Sequence, residues 1–189
     1  MHTNITIAGS KGGTGTTTFT VALALEIARR GHRVAIRSHD MYSVRDIIGT
    51  SVTVDDCTDW FGVTVADGVT TITGCELGNG THDCAVVLDE RAAGCKSADI
   101  TVVRNDYPSL AAAHRIGTVK VAVVMVEPGR ALSANDAHTC LAVPCHDVPV
   151  DPTVARMVDA GMLSTRVPRV FATAVAAVAD RFVAKVVAS

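Results

Sequence analysis

Ten residues near the start of the chain have the types and the spacing of a phosphate-binding loop. They read GSKGGTGTTT and occupy positions 9–18. Successive backbone N–H groups in a glycine-rich turn make a concave site for anions, and glycines allow phosphate oxygens to approach the backbone closely. The stretch predicts a site for a phosphorylated ligand, and a glycine-rich turn that never contacts phosphate is the alternative. The predicted binding residues are Gly12, Gly13, Thr14, Gly15, Thr16, Thr17 and Thr18.

The segments on either side are those that such a loop needs. The β-branched run before it predicts a strand over 4–8, and the apolar-periodic segment after it predicts a helix over 16–30. A helix that begins directly behind the turn adds unpaired N–H groups and a partial positive charge for an anion. Gly31 is the expected glycine at the end of that helix, and residues 33–37 form the next expected strand.

The rest of the chain alternates short apolar runs with helical patterns. Strand-helix-strand order indicates parallel pairing with right-handed connections. We therefore predict a single domain over 1–189 with an α/β fold, in which helices cover both faces of a three-layer, doubly wound, mostly parallel sheet. Further strands are predicted over 52–54, 63–65, 69–73, 84–88, 100–103, 121–126 and 145–150, and helices over 108–115, 133–142, 153–160 and 168–187.

Composition excludes several classes of protein. Hydrophobic residues make up 48% of the 189 residues and aromatics only 4%, which suits aliphatic strands buried on both faces by helices. The net charge of −2 means that any nucleic-acid binding needs a local basic patch. The six cysteines form no C-x-x-C pair and we see no signal-peptide pattern, so we expect reduced thiols and a cytoplasmic location. No apolar run has the length of a transmembrane segment.

A carboxylate follows the buried strand predicted over 84–88. Asp89 stands at the end of this strand, where the carboxyl ends of neighbouring parallel strands would bring it beside the loop. Carboxylate and hydroxyl oxygens suit Mg²⁺, so Asp89 and Thr17 are the predicted metal ligands. A solvated strand end is the alternative interpretation of Asp89, and Glu90 is another candidate for positioning water.

The loop resembles the deviant Walker A loop, K-G-G-x-x-K-[S/T], of the ParA/MinD family of ATPases. Residues 11–13 match its start and Thr17 matches its hydroxyl residue, whereas Thr16 stands in place of its second lysine. Against the general pattern G-x-x-x-x-G-K-[S/T], we assign the two glycines to Gly9 and Gly15. The resemblance implies a P-loop NTPase fold of the SIMIBI-like type.

The resemblance extends over most of the chain outside residues 44–82. Residues 98–110, ADITVVRNDYPSL, are similar to the CpaE/TadZ branch of the family. The turn at 149–152, PVDP, resembles a late turn beside which the family places the adenine. Glu127 and Pro128 stand where family members often carry an Asn-Arg pair for this base, so base recognition departs from the family pattern.

The resemblance also implies ATP and Mg²⁺ as cofactors and catalytic roles for two residues. Lys11 would reach across a homodimer interface to the partner's nucleotide. Asp40 would orient the attacking water, because it matches the second aspartate of the family's D-x-D-P-Q run, whereas Ser38 replaces the first. An ordinary loop or N-cap aspartate is the alternative interpretation of Asp40.

The replacement of the second lysine by Thr16 has a calculable effect on binding. A charge-assisted hydrogen bond contributes roughly 1.5–3 kcal/mol, so its loss weakens nucleotide binding by about one to two decades. The loss of the lysine affects hydrolysis more than binding, because the lysine also stabilises charge in the transition state. Lys11 compensates if its side chain turns into its own site. We therefore expect a nucleotide switch whose hydrolysis is slow or lost.

Three functions are compatible with these residues. The first is an ATP-dependent dimer switch that positions DNA or other cargo, as in plasmid, phage or chromosome partition, with nonspecific DNA and a partition adaptor protein as candidate partners. The second is a catalytically inactive scaffold of the same fold that acts through protein–protein contacts. The third is a biosynthetic enzyme related to dethiobiotin synthetase. The candidate DNA contacts, for which a solvated surface is the alternative, are Arg156, Arg166, Arg169, Arg181 and Lys185.

Two other patterns have simpler explanations. His138, Cys140, Cys145 and His146 are of the types that zinc accepts, but their spacing fits no strong structural zinc motif. The apolar stripe within 168–187 predicts core packing rather than a membrane anchor.

Overall fold

The structure is a computed structural model that describes residues 3–37, 44, 46–47, 60–66, 69–74, 84–89 and 95–187. For residues 3, 60–66, 69–74, 84–89 and 184–187 it describes the backbone alone. The predicted strand over 52–54, Asp40 and Glu90 lie outside the described residues.

Within the described part of the chain, eight strands form one sheet. They are β1 Thr3–Gly9, β2 Val34–Arg37, β3 Trp60–Ala66, β4 Val69–Gly74, β5 Cys84–Asp89, β6 Ser97–Arg104, β7 Thr118–Val126 and β8 Cys145–Pro149. Their order across the sheet is β4-β3-β2-β5-β1-β6-β7-β8. The six strands from β2 to β8 in this order pair in parallel, whereas β3 is antiparallel to both of its neighbours.

Helices cover both faces of the sheet. They are α1 Thr16–Arg29, α2 Tyr107–Ala113, α3 Ala134–Leu141, α4 Pro152–Asp159 and α5 Arg169–Val187. The larger buried cluster joins residues of α1 and α5 to one face of the central strands, and a smaller cluster joins α2 and α3 to the other face. The predicted three-layer, doubly wound, mostly parallel α/β fold is therefore confirmed.

Most predicted elements lie within a few residues of the observed ones. The strands predicted over 63–65 and 69–73 form the antiparallel hairpin β3–β4 at one edge of the sheet. Gly31 follows the cap of α1 with φ of 89°, a left-handed conformation that glycine adopts without strain. A capping box is present at Ser133 and Asp136, with each side chain bonded to the other's backbone N–H. The single domain over 1–189 stays a prediction.

The last helix packs against the core as expected. Phe171, Val175, Val178 and Phe182 recur at helical spacing and are at most 3% exposed. Within the part of the chain that the structure describes, no helix is long and apolar enough to cross a membrane.

Arg30 fastens the end of α1 to α5. Its Nε donates to Glu26 Oε1 over 3.1 Å, one turn earlier in α1. Its Nη1 donates to Asp180 Oδ1 over 2.6 Å, and its Nη2 donates to the backbone oxygen of Ala176 over 3.0 Å. The two helices of the larger core cluster are thus joined by a side chain as well as by apolar packing.

We expect Arg30→Ala to lower the free energy of unfolding by about 1–2 kcal/mol, because it removes hydrogen bonds that span two helices and are partly screened by water. Urea denaturation measures this change. The matched control is Arg29→Ala, at the neighbouring exposed arginine, and it should shift stability by less than about 0.5 kcal/mol. Equal losses in both variants would contradict the role of Arg30 as a helix tie.

Candidate functional site

The glycine-rich loop connects the central strand β1 to α1 with an open backbone. Gly13 and Gly15 have φ of 75° and 85°, in the left-handed region. Gly15 is the N-cap of α1 and supplies no side-chain hydrogen bond, so the first N–H groups of this 14-residue helix have no acceptor from their cap. A Cβ built on Gly12 or Gly13 would meet nothing within 4 Å. The loop therefore leaves its backbone accessible in front of the positively polarised N-terminus of α1, an arrangement that can bind a phosphate group.

The start of the loop differs from the sequence-based assignment. Counted back from Gly15, the first glycine of the pattern G-x-x-x-x-G falls on Ser10, so the assignment to Gly9 is wrong by one residue. Gly9 has another reason to be glycine, because the hydroxyl of Thr16 occupies the place where a side chain at Gly9 would lie.

Thr16, at the position of the missing lysine, forms its hydrogen bond within the loop. Its Oγ1 lies 2.7 Å from Thr14 Oγ1, and Thr14 Oγ1 donates to the backbone oxygen of Lys11 over 3.1 Å. Thr14 is 1% exposed, so this small network forms part of the loop's interior. The lysine position thus contributes a hydroxyl that stiffens the loop, and it contributes no charge.

Lys11 is turned toward the start of α2. Its Nζ lies 3.6 Å from Asp106 Oδ2, and its side chain is 37% exposed. Asp106 is also the N-cap of α2, where Oδ1 accepts from the backbone N–H of Ser109 over 2.7 Å. The two expected roles of Lys11, reaching a partner's nucleotide or serving its own site, both stay predictions.

A buried hydroxyl pair fastens the loop to the neighbouring strand. Ser10 Oγ lies 2.7 Å from Ser109 Oγ, which also accepts from the backbone N–H of Arg104 over 2.9 Å. Ser10 is 4% exposed and Ser109 is fully buried. The backbone N–H of Ser10 donates to the backbone oxygen of Val102 over 3.0 Å, and this hydrogen bond extends the pairing of β1 with β6 into the loop. Sequence reasoning missed both serines, because residues 99 positions apart give no local signal.

Charged residues line the carboxyl edge of the sheet next to the loop. Arg104 Nη1 donates to Glu127 Oε2 over 3.3 Å, and Arg130 Nε donates to the same oxygen over 2.7 Å. Asn105, which is 3% exposed, binds the segment that follows β7. Its Nδ2 donates to the backbone oxygens of Glu127 and Leu132 over 3.2 and 2.8 Å. Its Oδ1 accepts from the backbone N–H of Glu127 over 2.9 Å.

Three of the four zinc-type residues have other partners. His138 Nε2 lies 2.7 Å from Asp147 Oδ1, Cys140 contacts His114, and the Cys145 thiol donates to the backbone oxygen of Val143. Burial raises the pKa of the Cys145 thiol, which disfavours the thiolate that binds metal. Among the described residues, no three such side chains converge on a metal position.

Comparison with known proteins identifies the architecture. Neither the protein-family models nor the curated protein sequences give a match. The solved MinC:MinD cell division complex of Aquifex aeolicus is similar, with a TM-score of 0.68, 17% identity and 96% coverage of both chains. A ParA family ATPase from Chlorobium tepidum TLS gives a TM-score of 0.61 at 9% identity, covering 94% of this chain and 98% of its own. A nucleotide-binding protein from Archaeoglobus fulgidus, solved with ADP, gives 0.55 at 16% identity, covering 88% and 90%.

The fold is that of the MinD and ParA ATPases. Within this MinD/ParA fold, β5 lies beside β1, and Asp89 pairs with Ala8, one residue before the end of β1. Thr17 lies in the first turn of α1 and is half-buried. The backbone therefore brings the two predicted Mg²⁺ ligands to the same edge of the sheet as the loop.

We expect Ser109→Ala to lower the free energy of unfolding by about 1–3 kcal/mol, because it leaves the Ser10 hydroxyl and the Arg104 N–H without their buried partner. Urea denaturation followed by circular dichroism measures the change. Ser97→Ala, at an exposed serine at the opposite end of β6, is the control and should be close to neutral. A neutral result at Ser109 would mean that the hydroxyl pair does not hold the loop.

Proposed function

We propose that this chain binds ATP with Mg²⁺ at the glycine-rich loop and acts as a ParA/MinD-like dimer switch that positions DNA or other cargo. The observation that carries the proposal is the open loop in front of the uncapped N-terminus of α1, at the carboxyl edge of the central strand. Ligands of open α/β sheets bind at this edge, and helix N-termini there favour phosphate. The similar fold of a protein solved with ADP supports a nucleotide as the phosphorylated ligand.

The proposed roles follow the positions of the residues. Backbone N–H groups of 12–18 would surround the phosphates, and Thr17 and Asp89 would hold Mg²⁺. Bound Mg²⁺ supplies charge neutralisation to the phosphate oxygens. Asp40 would orient water, and Lys11 would contact the partner's nucleotide after it leaves Asp106.

Slow or absent hydrolysis is part of the proposal. Thr16 offers the phosphates no charge, and its hydroxyl is already bonded to Thr14. The transition state of phosphoryl transfer depends on positive charge around the transferred group. The same hydrogen bond also favours the second candidate, a catalytically inactive scaffold that acts through protein–protein contacts, because it stabilises the loop without a ligand.

Calorimetric titration with Mg-ADP and Mg-ATP tests the proposed site. We expect saturable binding that weakens when EDTA replaces Mg²⁺, and Thr17→Ala should remove most of this Mg²⁺ dependence, because it deletes the proposed hydroxyl ligand. Thr173→Ala, an exposed threonine on α5, is the matched control. Sedimentation velocity should show a dimer with Mg-ATP and a monomer without it.

The nucleotide switch and the inactive scaffold predict different results in calorimetry and sedimentation. Absence of heat at millimolar nucleotide would contradict the nucleotide switch and favour the scaffold. Nucleotide binding without any change in sedimentation would contradict the dimer switch alone.

The basic residues after α4 are a separate part of the proposal. Arg166 and Arg169 are exposed and lie close in sequence to the exposed Arg156. We expect the double variant Arg166→Glu/Arg169→Glu to bind mixed-sequence DNA more weakly. The slope of log Kd against log salt concentration should fall by about two, since each lost phosphate contact lowers this slope by about 0.9. Fluorescence anisotropy at several salt concentrations measures the slope. Lys96→Glu/Arg115→Glu, two exposed residues elsewhere, is the control; an equal effect there would contradict a local patch.

A further inference from the structure

Arg104 lies on the face of the sheet that α1 covers. Side chains alternate between the two faces of a strand. Ile100 and Val102 belong to the buried cluster that includes the residues of α1, whereas Val103 belongs to the cluster under α2 and α3. Arg104, two residues beyond Val102, therefore projects on the α1 face at the carboxyl end of β6.

Arg104 is linked to the loop through two neighbouring residues. Its register partner on β7 is Met125, whose Cε lies 3.4 Å from the position of a Cβ built on Gly15, the N-cap of α1. Its backbone N–H donates to Ser109 Oγ, which bonds to Ser10 in the loop. The backbone of Arg104 is thus linked to Gly15 at the end of the loop through Met125, and to Ser10 at its start through Ser109.

The charges around Arg104 sum to a positive value. Arg104 and Arg130 share one carboxylate, that of Glu127, so the three side chains carry a net charge of +1. Arg130 already donates to Glu127 through Nε and Nη2. Arg104 Nε is buried and, among the described residues, has no hydrogen-bond partner. Arg130 alone can therefore satisfy Glu127 while Arg104 turns its donors to a ligand.

We propose that Arg104 supplies to the nucleotide phosphates the positive charge that Thr16 cannot supply. The inference rests on the proposed nucleotide site. Lys11 is less suited to this role, because its ammonium group pairs with Asp106 at the start of α2, on the opposite face of the sheet. A guanidinium presents several donors to phosphate oxygens, so Arg104 can replace a lysine without occupying its position in the loop.

Binding of ADP and of inorganic pyrophosphate to Arg104→Gln tests the proposal. We expect both affinities to fall about 10- to 100-fold relative to the wild type, because the variant loses a charged donor to the phosphates. Pyrophosphate carries the phosphates without the base, so its loss of affinity reports on phosphate contacts alone. Competition against a fluorescent ADP analogue measures both. Arg115→Gln, an exposed arginine that follows α2, is the matched control and should bind both ligands as the wild type does. Circular dichroism establishes that each variant is folded.

Two further variants make the test specific. Thr16→Lys restores the missing charge, so the double variant Thr16→Lys/Arg104→Gln should recover at least tenfold of the lost pyrophosphate affinity. Glu127→Gln removes the carboxylate that competes for Arg104, so it should tighten pyrophosphate binding about three- to tenfold. Unchanged or weaker pyrophosphate binding in Glu127→Gln contradicts the proposal even if Arg104→Gln does not fold.

The outcomes separate this inference from the proposed function. Wild-type protein that binds neither ligand would overturn both. If the wild type binds both ligands and Arg104→Gln binds them with unchanged affinity, the inference alone is overturned. The same holds if Glu127→Gln binds pyrophosphate as tightly as the wild type or more weakly. A loss for ADP without a loss for pyrophosphate would assign Arg104 to the base and overturn it too, as would a larger loss in Lys11→Ala than in Arg104→Gln.

Discussion

The buried position of β1 is the constraint on which the rest of the site depends. This strand pairs with β5 on one edge and β6 on the other, and Ile5 and Ile7 are fully buried on one face. A strand held in this way gives the loop a fixed starting point. Ser10 extends the hold by one residue through Val102 and Ser109. The chain leaves the sheet only after Ser10, and there the backbone needs the conformational freedom of glycine.

Positive charge near the loop comes from three parts of the chain that differ in availability. The N-terminus of α1 contributes about half an elementary charge, fixed in place by the helix. Lys11 carries a full charge, but Asp106 balances it in the observed conformation. The cluster of Arg104, Glu127 and Arg130 carries a net unit charge on the α1 face of the sheet. The loop itself is therefore less positive than its resemblance to a Walker A loop implies, and the sheet edge is more positive.

Local signals predicted the architecture, and long-range contacts account for what was missed. Alternating apolar runs, Gly31 and the Ser133 capping box depend on residues close in sequence, so their patterns are visible without a structure. The partner of Ser10 is 99 residues away, and the partner of Arg104 is 23 residues away, so neither could be found by spacing. Glu127 was noticed only as a departure from a base-binding pair, because its pairing with Arg104 appears only when strands β6 and β7 align.

Under the proposed role of Arg104, the departures at Thr16 and Glu127 have one physical explanation. A lone carboxylate beside a phosphate site would repel the ligand, but two guanidinium groups overcompensate Glu127. In the proposed site Glu127 would pair with Arg104 at the sheet edge until a phosphate takes its place, while Asn105 holds the backbone of Glu127. A lysine in the loop can follow charge that moves onto the transferred phosphate. In the proposed site Arg104 would act from the sheet edge outside the loop, where its guanidinium follows this charge less readily, so we expect the arrangement to favour holding a nucleotide over hydrolysing it.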